Sequence, residues 1–341
     1  MSNSSLKTLM LCAIAGTAVT VSGIAQAKTV WNFNIWGSKR AFTAGIEHID
    51  AAASKDSNGE FDINVQFGDA LGPRKQNPEN IKNGAMEAGQ LCVGYYPNKY
   101  PMLSAMELPF LLPRDLRARA KVEMEVLAHP LMEAELAGRW KSKFFGPAFL
   151  PAYEFMGNKK ITDTASMKGV KMRISGLNAT ALQAFGAVPT MVTAPDGYEA
   201  LRRGTIDSFG FPYSYAFGAY KLYEVSKYAT EGLGMSGFMC LQVVSIDAWN
   251  AAPKVVRDNM PRYQAEAIEK MITAYEVADK KWRPIFRKKL EVTVIDPAVR
   301  AELAAGSSAI WNEWAKKKDA EGRPGTEVLN IIKASVAKHS K

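Results

Sequence analysis

Residues 167–212 read MKGVKMRISGLNATALQAFGAVPTMVTAPDGYEALRRGTIDSFGFP, and their periodicity switches repeatedly within this short span. The run 169–174 alternates apolar and polar side chains and carries Arg173 near its end. A helix-like stretch follows over about 178–185, then a Gly186-Ala187 turn and a second apolar run, 188–192. A helix over about 195–203 leads into a strand, 205–209, that ends in Gly210-Phe211-Pro212. Strand–helix–strand–helix–strand is the pattern of α/β layering. In such sheets ligands sit beyond the carboxyl ends of the strands. Arg173 and Phe211 both fall at such ends. With 43 Lys+Arg in the chain, one more arginine means little by itself. Its position sets Arg173 apart, because a guanidinium at a strand end offers a planar fork that matches a carboxylate.

The first 27 residues carry Lys7, an apolar segment and a closing Ala25-Gln26-Ala27. This is the pattern of a secretory signal peptide cut before Lys28, which places the protein in the periplasm. The segment is diluted by Gly, Thr and Ser and is too weak for a membrane span. Cys12 lies inside it and is read as part of the discarded leader. What remains is long enough for two domains. The formal charge is +9. Its basic residues are scattered, with short clusters such as Lys280-Lys281 and Arg287-Lys288-Lys289, and export argues against a nucleic-acid partner. The field favours anionic solutes. Cys92 and Cys240 sit in apolar runs, so a disulfide and two buried thiols both fit. His48, His129 and His339 lie far apart and show no metal spacing. No nucleophile elbow, P-loop, zincin or dinucleotide motif is present, so neither an enzyme nor a cofactor is expected.

The rest of the chain continues the alternation. A strand over 29–35 ends at Trp36, a helix covers about 42–54, Ser57-Asn58-Gly59 turns, and 61–67 alternates again as a β–α–β unit. A short helix over 77–83 precedes a strand over 91–93 that ends in Gly94-Tyr95-Tyr96-Pro97. Tyr95 and Tyr96 are packing aromatics or cleft residues. An amphipathic helix is expected over 115–127 and an apolar segment over 144–149. Residues 264–290 form a long helix, kinked at Pro284. A strand over 292–295 and helices over 297–318 and 326–338 finish the chain.

Four separated motifs carry a resemblance. K-G-V-K-M-R-I-S from Lys168, A-F-G-A-V-P from Ala184, Y-E-A-L-R-R-G-T-I-D from Tyr198 and K-L-Y-E-V-S-K-Y from Lys221 resemble the DctP-type solute-binding proteins of TRAP transporters. The likeness extends over nearly the whole chain after the leader. It implies a two-lobed α/β periplasmic binding protein, with lobe I at 28–150 plus about 238–278 and lobe II at 151–237 plus about 279–341. Segments 150–154 and 237–241 would be the hinges. A monomer would close on a small organic acid and dock on the small and large membrane subunits, without an ATPase. The M-E-L-P-F-L segment from Met106 looks like the family's L-P-F motif and receives no chemistry.

The resemblance also implies a site. Arg173 aligns with the family's carboxylate-binding arginine. Tyr153 stands where members often place a second ligand-facing arginine. Phe211 stands where members that bind polar acids carry Asn, their D-G-x-E-N-P becoming Asp207-Ser208-Phe209-Gly210-Phe211-Pro212. Trp36 takes the often polar end of the first strand. Tyr95 and Cys92, around the end of the third strand, complete the expected ligand-facing set. These replacements exchange hydrogen-bond partners for apolar and π surface. The expected ligand is a monocarboxylate with an apolar or aromatic body. A zwitterionic or cationic solute boxed by aromatics is the alternative, and an unrecognised secreted enzyme is the last.

Overall fold

Trp31 and Phe33 alternate with polar residues in β1 (Thr29–Asn34), and both rings are fully buried. In a computed structural model the described residues are 28–96, 98–174 and 176–340. The expected signal peptide lies outside them, as do Pro97 and Ser175. From β1 the helix Ala44–Asp56 returns the chain to β2 (Phe61–Gln66), with Asn58 and Gly59 turning at positive φ. β3 (Ala88–Cys92) is buried along its whole length, as a central strand must be, and β4 (Ser142–Pro147) follows after two helices. β5 (Tyr153–Gly157), β6 (Lys171–Arg173), β7 (Val188–Pro189), β8 (Ser208–Pro212) and β9 (Tyr228–Glu231) then build a second sheet. β10 (Cys240–Ser245) returns to the first sheet, whose order is β2-β1-β3-β10-β4. β11 (Glu291–Val294) completes the second, with order β11-β9-β5-β8-β6-β7. The expected two-lobed α/β architecture is the one observed.

The chain passes between the sheets from β4 to β5, from β9 to β10, and through the helix Lys254–Lys289. The first two crossings are tied together: Tyr153 N donates to Met235 O at 2.8 Å and Met235 N to Tyr153 O at 3.1 Å. Glu154 adds a brace. Its carboxylate accepts from the amides of Gly232, Leu233 and Gly234 and from the Thr230 hydroxyl. The long helix has 36 residues, about 54 Å at 1.5 Å per residue. It packs on the helix Ala44–Asp56 at its start and against β11 at its end.

Three expectations need correction. The long helix begins at Lys254 rather than 264, running through Pro261. Proline lacks the N–H and reads as a break, but Val256, Met260, Tyr263 and Ala267 are all buried on one face and their packing offsets it. A helix at Pro130–Trp140 was not expected; its apolar stripe is Met132, Leu136 and Trp140. β8 starts at Ser208, three residues later than the expected strand, because Asp207 turns the chain by accepting the Lys171 amide at 2.9 Å. The C-terminal helices make contacts with the first lobe as well. Ser335, Lys338 and His339 of helix Gly325–His339 all bond Glu125 on helix Leu116–Leu127, at 2.6–2.8 Å. Trp311 reaches Pro109 O at 2.9 Å. Helix Pro297–Ala320 also meets the second lobe, where Thr164 Oγ1 donates to Glu302 at 3.2 Å, so the closing helices touch both lobes.

Candidate functional site

β6 and β8 are parallel neighbours, with Arg173 opposite Phe209. Residues two apart on a strand share a face, so the run of β8 through Pro212 puts Phe209 and Phe211 on one side together. The guanidinium carbon of Arg173 lies 4.5 Å from the Phe209 ring centre and 5.3 Å from that of Phe211. Phe238, from the crossing before β10, closes a third side at 5.2 Å. Gly94 makes room for it, since a Cβ there would fall 2.1 Å from Phe238 Cε1. Arg173 is 0% exposed. Its Nε donates to Val192 O at 2.9 Å and its Nη1 to Gly210 O at 3.0 Å. Nη2 is buried without a partner. Sequence reasoning offered the whole fork to a ligand; the fold spends part of it on two carbonyls, which fix its direction.

Four of the other five expected residues meet here, and Phe238 is their hub. Tyr95 packs edge-on at 5.0 Å from Phe238 and 5.5 Å from Trp36. Tyr153 is 6.4 Å from Phe238 and 6.3 Å from Phe211. Tyr95 Oη accepts from Ala194 N at 3.4 Å, a contact from the first lobe to the second. Cys92 differs. It stands opposite Cys240 in the β3–β10 register and the two are joined as a disulfide. Its sulfur is therefore not a free thiol for a ligand.

Other side chains at the cleft were not foreseen. Tyr220 lies 5.4 Å from Phe211. Arg40 sits 5.8 Å from the Tyr220 ring and is anchored to Trp36 O at 2.9 Å. Arg74 is 6.0 Å from the Trp36 ring and pairs with Asp69. Burial raises the Tyr220 phenol, opposed by the charges of Arg40, Arg74 and Arg173. Burial pushes Tyr153 up to about 12, against Arg173. Both phenols stay protonated at neutral pH, and neither hydroxyl has a partner. The arrangement can hold an anion: cations from both lobes, buried donors without acceptors, and aromatic walls. No spacing rule could have joined Arg40, Arg74, Tyr220 and Phe238, because they come from four unrelated segments.

Two open cavities lie elsewhere. One of 390 Å³ is lined by Gly94, Glu107, Gly176, Trp314 and Lys317, and one of 420 Å³ by Arg114, Glu154, Tyr213, Asp279 and Arg283. Arg173 lines neither. Buried donors without acceptors gather instead in the aromatic cluster around Arg173. Among the described residues no cluster of His, Cys, Asp and Glu could hold a metal, and no helix is long and apolar enough to cross a membrane.

Residues 34–318 match the family described as bacterial extracellular solute-binding protein, family 7, DctP. The chain belongs to this family. DctP-type proteins are solute-binding components of transporters, not enzymes. A solute-binding protein of Verminephrobacter eiseniae is 27% identical over 213 residues, 60% of this chain and 62% of that one. The C4-dicarboxylate-binding periplasmic protein of Rhodobacter capsulatus is 25% identical over 300 residues, 86% of each chain. The crystal structure of a marine metagenome TRAP solute-binding protein specific for aromatic acids, in complex with 3-hydroxybenzoate, superposes with a TM-score of 0.78 at 20% identity, covering 92% of this chain and 100% of that one. The DctP fold is thus common to proteins with different carboxylate ligands.

Proposed function

We propose that this DctP-type protein captures a small monocarboxylate with an apolar or aromatic body between its lobes and delivers it, as a monomer, to the small and large membrane subunits of a TRAP transporter. One observation carries the reading: Arg173 holds a buried, unpartnered nitrogen inside a cage of Phe209, Phe211 and Phe238. A buried donor without an acceptor costs free energy, and a ligand carboxylate relieves that cost. Phe211, Tyr153, Tyr95 and Trp36 supply the wall for the ligand body. The free hydroxyls of Tyr153 and Tyr220 suit one further polar group on it. The aromatic-acid ligand of the marine structural relative supports the same class. A cationic solute fits less well, because the π faces around Arg173 are already turned to the protein's own cation.

The test is a thermal-shift and calorimetry panel of benzoate, 3-hydroxybenzoate, branched 2-oxo acids, succinate and malate. Stabilisation of about 2.7 kcal/mol is expected at a hundredfold excess over Kd, with the ligand recovered intact. Preference for succinate or malate over every aromatic and branched monocarboxylate would overturn the ligand class.

A further inference from the structure

Glu107 closes the short helical segment Leu103–Glu107 and is only 1% exposed. It touches three parts of the molecule at once. Its Oε1 accepts the Met239 amide at 3.0 Å, on the crossing into β10. Its main-chain oxygen accepts Asn178 Nδ2 at 3.3 Å, from the second-lobe helix Leu177–Ala184. Its Oε2 lies against Gly176, where a Cβ would fall 2.2 Å away. Gly176 has φ 64° and ψ −152°, a conformation essentially confined to glycine. Gly176 lies three residues after Arg173, at the start of the second-lobe helix Leu177–Ala184.

We propose that Glu107 is a positioning residue that latches the two lobes: its carboxyl seats between Met239 and Gly176 only when the cleft is shut, and it takes up a proton on seating. The latch depends on cleft closure, whatever the ligand. Arg119 from helix Leu116–Leu127 and Arg173 from β6 both favour the ionised carboxylate. Arg119 is itself paired with Glu123 at 2.8 Å. Tyr153 from β5 faces the group as a neutral phenol. Glu313, Lys317 and Lys318 of helix Pro297–Ala320 line the cavity beside it. Burial outweighs the Met239 and Gly94 amides and the two cations, and pushes the Glu107 carboxyl up from 4.5 to about 8. Opening the cleft exposes it to water and returns it toward its ordinary value.

The sign follows. A carboxyl whose pKa is higher in the closed state favours closure fully below the open-state value and loses that contribution as pH rises toward about 8. Between about pH 6.5 and 8.5 the closing equilibrium then falls by up to about twentyfold. Among the described residues no histidine bonds Glu107: His48 bonds Glu266, His129 caps its own helix and His339 bonds Glu125.

The experiment uses residues 28–341 with spin labels at Asn83→Cys and Thr205→Cys, exposed positions in the first and second lobes. Inter-lobe distances are read at both pH values without ligand and with benzoate, which stays ionised throughout. The wild-type ratio of short to long distances should fall up to about twentyfold from the lower to the higher pH, and any benzoate Kd should rise in parallel. Glu107→Gln keeps the shape and stays neutral, so its ratio should be independent of pH and match wild type at the lower value. Glu107→Ala should open the cleft at both. Identical wild-type distributions at the two pH values, or an undiminished pH dependence in Glu107→Gln, would overturn the latch. Closure that follows pH while no aromatic or branched monocarboxylate of the panel binds would reject the proposed ligand class and sustain the latch.

Discussion

Arg173 enters the cleft with Nε and Nη1 already committed to Val192 O and Gly210 O. Those bonds aim the remaining nitrogen, and removing the side chain removes both the aim and the charge. Arg173→Ala should weaken a carboxylate ligand by about 2–5 kcal/mol, roughly 30- to 5,000-fold. Calorimetry showing affinity within about threefold of wild type, below ~0.7 kcal/mol, would exclude that role. Arg173→Lys should not restore binding fully, because the planar fork that matches a carboxylate is lost. Phe211 is the complementary test. Its ring touches Phe209, Tyr153 and Tyr220. Phe211→Asn should cost benzoate about 1–3 kcal/mol through lost burial, while competition by succinate improves. An unchanged order of preference in the competition assay would remove Phe211 from the wall.

At the level of elements, the crossing into β5 carries a dense set of buried polar contacts. The Glu154 carboxylate gathers three consecutive amides and one hydroxyl, although burial raises its pKa. Glu154→Gln turns an amide donor toward those N–H groups. It should lower stability by about 1–3 kcal/mol in urea unfolding; a midpoint equal to wild type would refute the brace. Beside it, the Cys92–Cys240 bond pins β3 to β10 across 148 residues of sequence. On the chain-entropy account a loop that long contributes about 5 kcal/mol. Denatured, unreduced protein should show no titratable thiol, and reduction should lower the melting temperature. Two thiols found before reduction would contradict the pairing.

For the whole molecule, closure is the property that turns a pocket into a carrier. The Tyr95–Ala194 contact and the Glu107 contacts with Gly176 and Asn178 join the lobes, while Arg173 is wholly buried. A ligand cannot enter such a site unless the lobes part. Small-angle scattering should show the radius of gyration decreasing when benzoate, or whichever panel acid binds, saturates the protein. Superimposable curves with and without ligand would argue against lobe movement. The helix Lys254–Lys289 bonds Phe149 O through Tyr275 and Glu231 through Arg287, so it must bend or pivot as the lobes separate.

Much of this was written in local pattern. The alternation in 167–212, the β–α–β unit after Trp31 and the position of Arg173 follow from periodicity and strand ends, which depend on neighbours a few residues apart. Trp36, Tyr95 and Phe211 could be named from their places at such ends, and Tyr153 from the family resemblance. Their joining needed Phe238, whose ring finds room only because Gly94, far off in sequence, has no Cβ. Local pattern also failed where distant packing overrode it. Pro261 reads as a break until the burial of Met260 and Tyr263 is known. The pairing of Cys92 with Cys240 was undecidable in one dimension, because it rests on the register of two strands 148 residues apart. Glu107 is the clearest case. Nothing in M-E-L-P-F-L marks a functional carboxyl; its character comes from burial between two lobes that only the folded chain brings together.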